Sequence, residues 1–206
     1  MIRAQHVSWA VCFFNRYSTY MVKRHFRHVF CHDVPAVTNK PILIIANHFS
    51  WWDGFFAVYC NARYFRKTFH VMMLEEQLSL RKILRFAGAF SVRKNSRSIA
   101  NSLEYAAEIL QNKNNLLLLF PQGRFYSLHD HSFRFEKGVG HILQKSSKDI
   151  HLLFMANMIE YFAHRKPFVS LYFKEYPVTE SLDELEKAYS RFFDDCIKRQ
   201  NAFMES

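Results

Sequence analysis

Residues 42–46 and 116–120 are two unbroken apolar runs, each preceded by proline or polar residues and followed by a polar turn. Strands buried on both faces of a parallel sheet have this pattern, with no inside/outside alternation. Residues 70–74, 150–156 and 168–173 read as further short strands, the last with some alternation. Helical spacing fills the gaps. Residues 53–67 place Phe55, Phe56, Val58 and Tyr59 inward and end on Arg63, Arg66 and Lys67, cations that suit a helix carboxyl terminus. Residues 75–87 carry Leu78, Ile83, Leu84 and Phe86 and stop at Gly88. Residues 96–113, capped by Ser96 or Ser98, set Ile99, Leu103, Ala107 and Leu110 on one face. Ser181-Leu182-Asp183-Glu184 is a capping box for a last helix with Leu185, Tyr189, Phe192, Phe193, Cys196 and Ile197 on its apolar side. Strands alternating with helices predict an α/β fold, a mixed, largely parallel sheet flanked by helices.

The first helical stretch, residues 5–30, differs from the others. Trp9, Phe13, Tyr17, Tyr20 and Met21 recur at helical spacing, with Arg16, Lys23, Arg24 and Arg27 among them. Rings that bury shallowly beside cations that reach phosphates suit a helix lying in a membrane interface; a helix packed on the domain is the alternative. The expected division is therefore an amphipathic interface segment, 1–35, and one α/β domain, 36–206. Composition agrees with a greasy partner: half of the 206 residues are hydrophobic, 17% are aromatic and 22 are Phe. The formal net charge of +10 suits anionic lipid headgroups, nucleic acid or an acidic protein partner. Nucleic acid is not expected, because the basic residues are dispersed and no nucleic-acid motif is present. No apolar stretch approaches the ~18 residues of a spanning helix, and no signal peptide is expected. The four cysteines, Cys12, Cys31, Cys60 and Cys196, are scattered, which points away from a zinc site or disulfide framework and toward a reducing compartment. His129, Asp130 and His131 read as a solvated loop, since adjacent residues do not converge on one ion; no metal is expected.

Candidate chemistry lies where the run 42–46 ends, at Asn47-His48-Phe49-Ser50-Trp51-Trp52-Asp53-Gly54. Parallel sheets place ligands at the carboxyl ends of their strands. A histidine poised near neutral pH and a carboxylate that fixes its tautomer make a general base pair. On a continuous helix five positions rotate about 500°, leaving the side chains roughly 140° apart, so pairing His48 with Asp53 requires a turn between them. A hydrogen-bonded histidine at a strand end is the bland alternative.

Asn47-His48-x-Ser50-x-x-Asp53-Gly54 resembles the first motif of the glycerophospholipid (PlsC-type, 1-acylglycerol-3-phosphate) acyltransferases, a His and an Asp separated by four residues. Gly88-Ala89-Phe90-Ser91-Val92-Arg93 resembles the second, and Phe120-Pro121-Gln122-Gly123-Arg124 the third, commonly Phe-Pro-Glu-Gly-Thr-Arg. Phe135-Glu136-Lys137-Gly138 resembles the segment opening the next helix. Residues 150–156 match the fourth motif in apolar character but lack its Pro. Two departures stand out: Gln122 replaces the usual Glu, and Arg124 falls one place before the pattern's Arg.

The resemblance implies an O-acyltransferase that moves a fatty acyl chain from an acyl thioester, acyl carrier protein (acyl-ACP) or acyl-CoA, to a hydroxyl of a lysophospholipid or related amphipathic acceptor. It implies His48 and Asp53 as catalytic residues. Arg93, Gln122, Gly123, Arg124 and Lys137 would bind substrate, with Arg93 facing the acceptor's phosphate; a surface Arg beside Lys94 and Arg97 is the alternative. Backbone N–H groups near Gly123 are candidate oxyanion donors. The thioester is a co-substrate, and no resident cofactor is expected. The expected partners are an anionic membrane surface, the thioester carrier and a lipid acceptor, at the cytoplasmic face of a membrane. The absence of a Gly-x-Ser-x-Gly elbow disfavours a serine hydrolase. A non-catalytic lipid-binding or transfer protein of the same fold is the alternative function.

Overall fold

The computed structural model of the chain describes residues 1–93, 98–130, 132–179 and 181–204. Its centre is a seven-stranded sheet: β1 (His28–His32), β2 (Ile42–Ala46), β3 (Thr68–Leu74), β4 (Ala89–Val92), β5 (Asn115–Leu119), β6 (His151–Glu160) and β7 (Phe168–Tyr176). The strand order is β1-β7-β6-β2-β5-β3-β4. The block from β6 to β4 is parallel throughout, and β7 turns antiparallel against β6, carrying β1 with it. The expected mixed, largely parallel α/β sheet is the observed one.

Both faces are covered, which explains the unbroken apolar runs. Leu43 and Ile45 of β2, with Leu117 and Leu119 of β5, face a core completed by α4 (Ile99–Ile109), α5 (Lys137–Lys145) and α6 (Leu182–Met204). Ile42, Ile44, Leu116 and Leu118 face the other side, against α1 (Ser8–His25) and α2 (Asp53–Cys60). Ser181 accepts the N–H of Glu184 at 3.3 Å, so half of the capping box forms; the Glu184 carboxylate instead accepts the Thr179 hydroxyl.

Four expectations are corrected. The first helix ends at His25, not residue 30, and residues 28–32 form edge strand β1, paired in parallel with β7. The sheet therefore draws on both sides of the expected division at residue 35. The helix beginning at Asp53 changes at Cys60 into a π-helical turn, Asn61–Phe65, and is stopped by left-handed Arg66. The expected helix over 75–87 breaks at Arg81 into α3 (Glu75–Leu80) and a 3-10 helix, Lys82–Ala87. The helix expected over 96–113 is confined to Ile99–Ile109, its last expected turn becoming the polar connection into β5. The Ser96 cap, Lys94, Arg97 and His131 lie outside the described residues.

Gly88 stops the 3-10 helix at φ 105°, a conformation that glycine adopts without strain. A Cβ there would meet the Phe69 carbonyl oxygen at 1.9 Å. The N-terminal segment is tied to the same region, because Ser91 donates its N–H to Ile2 and Val7 to Phe86.

Candidate active site

β2 delivers Asn47 and His48 at its carboxyl end, and β5, its neighbour, delivers the turn beginning at Phe120. The chain reverses through residues 49–52, and Asp53 becomes the first residue of α2. That reversal supplies the turn that the His48–Asp53 spacing requires. His48 Nδ1 donates to Asp53 Oδ2 at 2.9 Å, and the same oxygen accepts the N–H groups of Phe49 and Ser50, each at 2.9 Å. Oδ1 accepts the Ser50 hydroxyl and the Asn157 side-chain amide, both at 3.3 Å. Asp53 is fully buried, and five donors together with the helix amino terminus make an ionised carboxylate tenable there. Ser50 spends its hydroxyl on Asp53 and is not placed as a nucleophile.

The backbone of His48 is held from the β5 side. Its N–H donates to Gln122 Oε1 at 3.1 Å, and its carbonyl accepts the Tyr126 N–H at 2.9 Å. Its ring is sandwiched, with the Phe120 centroid 3.9 Å away on one face and Phe125 4.1 Å away on the other. The imidazole therefore meets the outside along its edge, and its side chain is 20% exposed. With Nδ1–H given to Asp53, Nε2 is the atom left to take a proton.

The remaining candidates are arranged differently. Gln122 is buried, and its oxygen accepts the His48 N–H, holding the His48 backbone from the β5 side. Gly123 takes φ 64°, which closes the turn, and its own N–H donates to the Phe120 carbonyl. That N–H is thus removed from the oxyanion donors expected near this glycine. The Arg124 guanidinium lies 4.6 Å over the Tyr126 ring. Arg93 stands at the end of β4, three strands from β2 on the same rim, about 14 Å at ordinary strand spacing. It pairs with Glu75, whose other oxygen accepts the Ser91 hydroxyl at 3.1 Å and faces the N-terminal ammonium at 3.4 Å. Arg93, and then Ser91 and the amino terminus, hold the Glu75 carboxyl below its usual range against the opposing effect of burial. Lys137 is exposed at the start of α5. His129 is exposed on the loop after the third motif, and among the described residues no three His, Cys, Asp or Glu side chains are grouped to hold a metal ion.

Asn157 and Phe125 carried no motif signal, and Phe120 stood in the third motif without an expected role. Asn157 of β6 donates to Asp53, and its backbone N–H and carbonyl pair with the Asn47 side chain at 2.8 and 3.0 Å, tying the strand end to β6. Phe120 and Phe125 enclose the imidazole. Asn157 lies 104 positions from Asp53, so no spacing rule could have joined them.

The rim also carries exposed rings. Trp51, on the His48 turn, contacts Phe55 at 4.4 Å; Phe55 contacts Tyr17 of α1 at 6.0 Å, and Tyr17 stacks on Phe13 at 5.7 Å. Trp9, Phe13, Tyr17 and Tyr20 are exposed, while Ala10, Ser18 and Val22 face the domain. No helix among the described residues is long and apolar enough to cross a membrane.

No curated protein matches the sequence. Among solved structures, the chain is similar to the 1-acyl-sn-glycerophosphate (LPA) acyltransferase PlsC from Thermotoga maritima. The TM-score is 0.61 at 14% identity, over 93% of this chain and 80% of that one, a likeness of fold. The family model described as Acyltransferase matches residues 23–156, a span that holds His48, Asp53 and the turn at Gln122. The chain belongs to the Acyltransferase family.

Proposed function

We propose that the protein is an O-acyltransferase carrying a fatty acyl group from acyl-ACP or acyl-CoA to a hydroxyl of a lysophospholipid or related amphipathic acceptor, with His48 as general base. The observation that carries this reading is the 2.9 Å bond from His48 Nδ1 to Asp53, which leaves Nε2 as the proton acceptor at the open edge of the ring. Nε2 takes the acceptor's hydroxyl proton while that oxygen attacks the thioester carbonyl. The carbon–sulfur bond then breaks, and the departing thiolate recovers the proton from the imidazolium. Asp53 stabilises that imidazolium and fixes the tautomer. The pairing of Ser50 with Asp53 supports direct transfer without an acyl-enzyme. Arg93 and Lys137 are the cations on hand for a charged substrate, Arg93 by exchanging Glu75 for it.

The exposed aromatic band from Trp51 to Trp9 supports peripheral attachment to an anionic membrane at its cytoplasmic face, with α1 in the headgroup plane and the site opening toward it. Thioester turnover separates this enzyme from a lipid-transfer protein of the same fold. Purified protein is incubated with acyl-ACP or acyl-CoA and a lysolipid panel, thiol release is followed, and the lipids are read by mass spectrometry. A new ester made by the wild type and not by H48A is expected; thiol release at background with every pair overturns the reading.

A further inference from the structure

Two thiols meet on the face of the sheet covered by α1 and α2, and acyl transfer uses neither. Cys31 of β1 is aligned with Leu171 of β7, and Leu171 points into the core on that face. Aligned neighbours in a sheet point the same way, so Cys31 is turned inward and packs against the same core. Cys60, the last residue of α2, is fully buried there. Tyr64 follows Cys60 by four positions, a spacing that makes them neighbours on a helix surface. The Cys60 thiol and the Tyr64 hydroxyl both donate hydrogen bonds to the Cys31 sulfur. Arg63 Nε donates in turn to the Tyr64 hydroxyl at 3.2 Å, so a cation stands behind the second donor. Arg63 and Tyr64 both belong to the π-helical turn after Cys60, a rare element frequent at functional sites.

The thiolate is the reactive form of cysteine, and hydrogen-bond donors with a positive charge favour it. Of the two sulfurs Cys31 is the one that ionises. The Cys60 thiol, then Tyr64 and Arg63, bring its pKa down to about 7 against the opposing effect of burial, whereas burial pushes Cys60 well above its ordinary value. Cys31 is half-buried on an edge strand and Cys60 is enclosed behind it. An accessible thiolate with a second thiol in contact is the pairing of an attacking and a resolving cysteine.

We propose that Cys31 and Cys60 form a peroxide-reactive site, in which hydrogen peroxide oxidises Cys31 and Cys60 resolves it as a disulfide. The Cys31 thiolate attacks one peroxide oxygen, the O–O bond breaks, and the departing hydroxide takes up the proton that Cys31 had released. Cys31 is then a sulfenic acid. The Cys60 sulfur attacks the sulfenic sulfur, the S–O bond breaks, and the hydroxide leaves with the Cys60 proton as water. Two thiols and one peroxide become one disulfide and two waters; the sulfurs lose the two electrons that the peroxide gains. The new bond fastens edge strand β1 to the end of the helix whose first residue is Asp53. Where glutathione is kept reduced, such a bond is transient and senses the oxidant.

The test treats the reduced full chain with a small excess of hydrogen peroxide at pH 7, unfolds it in N-ethylmaleimide and maps its peptides without reductant. Cys31 and Cys60 are expected to disappear together into one cross-linked peptide, released by dithiothreitol, while Cys196 is alkylated. Cys31 should be consumed at least about threefold faster than a single-cysteine peptide, since its larger thiolate fraction outweighs the lower nucleophilicity of a more acidic thiol. In C60S, dimedone traps a sulfenic acid on Cys31; in C31S, Cys60 stays a thiol. Oxidation of the exposed Cys12 ahead of Cys31 overturns the proposal. So does a Cys31 oxidised past the sulfenic acid with Cys60 still alkylated, or a cross-link joining two copies of the chain. The wild-type map decides without either variant and without any acyl transfer.

Discussion

Asp53 Oδ2 stands 2.9 Å from His48 Nδ1 and equally close to two N–H groups of the turn, so one oxygen both orients the imidazole and shapes the loop that presents it. The two residues should therefore fail in different ways. His48→Ala is expected to lower turnover by about 10²–10⁴-fold, the usual share of a general base, with an unchanged melting curve. Asp53→Asn replaces an acceptor by an amide that cannot serve all five donors, and should cost activity together with about 1–3 kcal/mol of stability. Thiol-release rates and thermal melts check both. An Asp53→Asn protein that melts like wild type would show that the turn does not depend on the carboxylate.

Asn157 is placed to act through Asp53 and not on substrate. Asn157→Leu should lower kcat with little change in KM, because the imidazole's partner loses a donor while the acceptor's surroundings are kept. Asn157→Asp sets a second carboxylate beside a fully buried one, and should lower the melting temperature most at neutral pH, recovering as acid protonates one of the pair. Recovery in alkali instead would contradict this account.

The exposed stripe on α1 should bind membranes without holding the domain together. Changing Trp9, Phe13 and Tyr20 together to Ser is expected to reduce flotation with phosphatidylglycerol vesicles and leave the melting temperature near that of wild type, and added salt should weaken wild-type binding. A deletion of residues 1–30 would not make this distinction, since it also removes the Ile2–Ser91 bond and most of β1. Loss of melting temperature in the triple variant, with flotation retained, would make α1 a packing helix.

His70 gives the fold a sensitivity to acid. It is buried on β3, and burial, followed by the His6 ring 4.6 Å away, lowers its pKa from 6.5 to about 4, against the opposing pull of the Thr68 carbonyl. The unfolded chain thus takes this proton at higher pH than the native protein. Native stability from the neutral ring is complete above about pH 6.5 and drains as pH falls toward 4, a loss on the order of 2–3 kcal/mol. His70→Gln should flatten the melting-temperature profile over that window relative to wild type. Parallel profiles would assign the acid loss to other groups.

The parts of the fold readable from the residues are those dictated by local burial and local chemistry. β2 and β5 are apolar throughout because the sheet is covered on both sides, and the His48 turn is announced by its own polar residues. β1 was hidden because an edge strand is only half buried; its alternating His and aromatic residues continue the mixture found in the helix before it. The break at Arg81 and the π-helical turn after Cys60 carry no proline or glycine to mark them. At the site, the His48–Asp53 pair could be read from five positions of chain, whereas Asn157 and the Phe120–Phe125 sandwich exist only once distant strands are side by side. Gln122 was legible as a departure from a pattern, but its support of the His48 backbone was not.

The pairing of β1 with β7 sets an order on the making of the protein. His28 is aligned with Phe168, 168 − 28 = 140 residues later, and β1 at the sheet edge has no other neighbour. At synthesis rates of about 5–20 residues per second, β1 waits on the order of ten seconds for its partner. The last strand to be made is therefore the one that seals the first, and the chain's own amino-terminal edge is the final piece of the sheet to close.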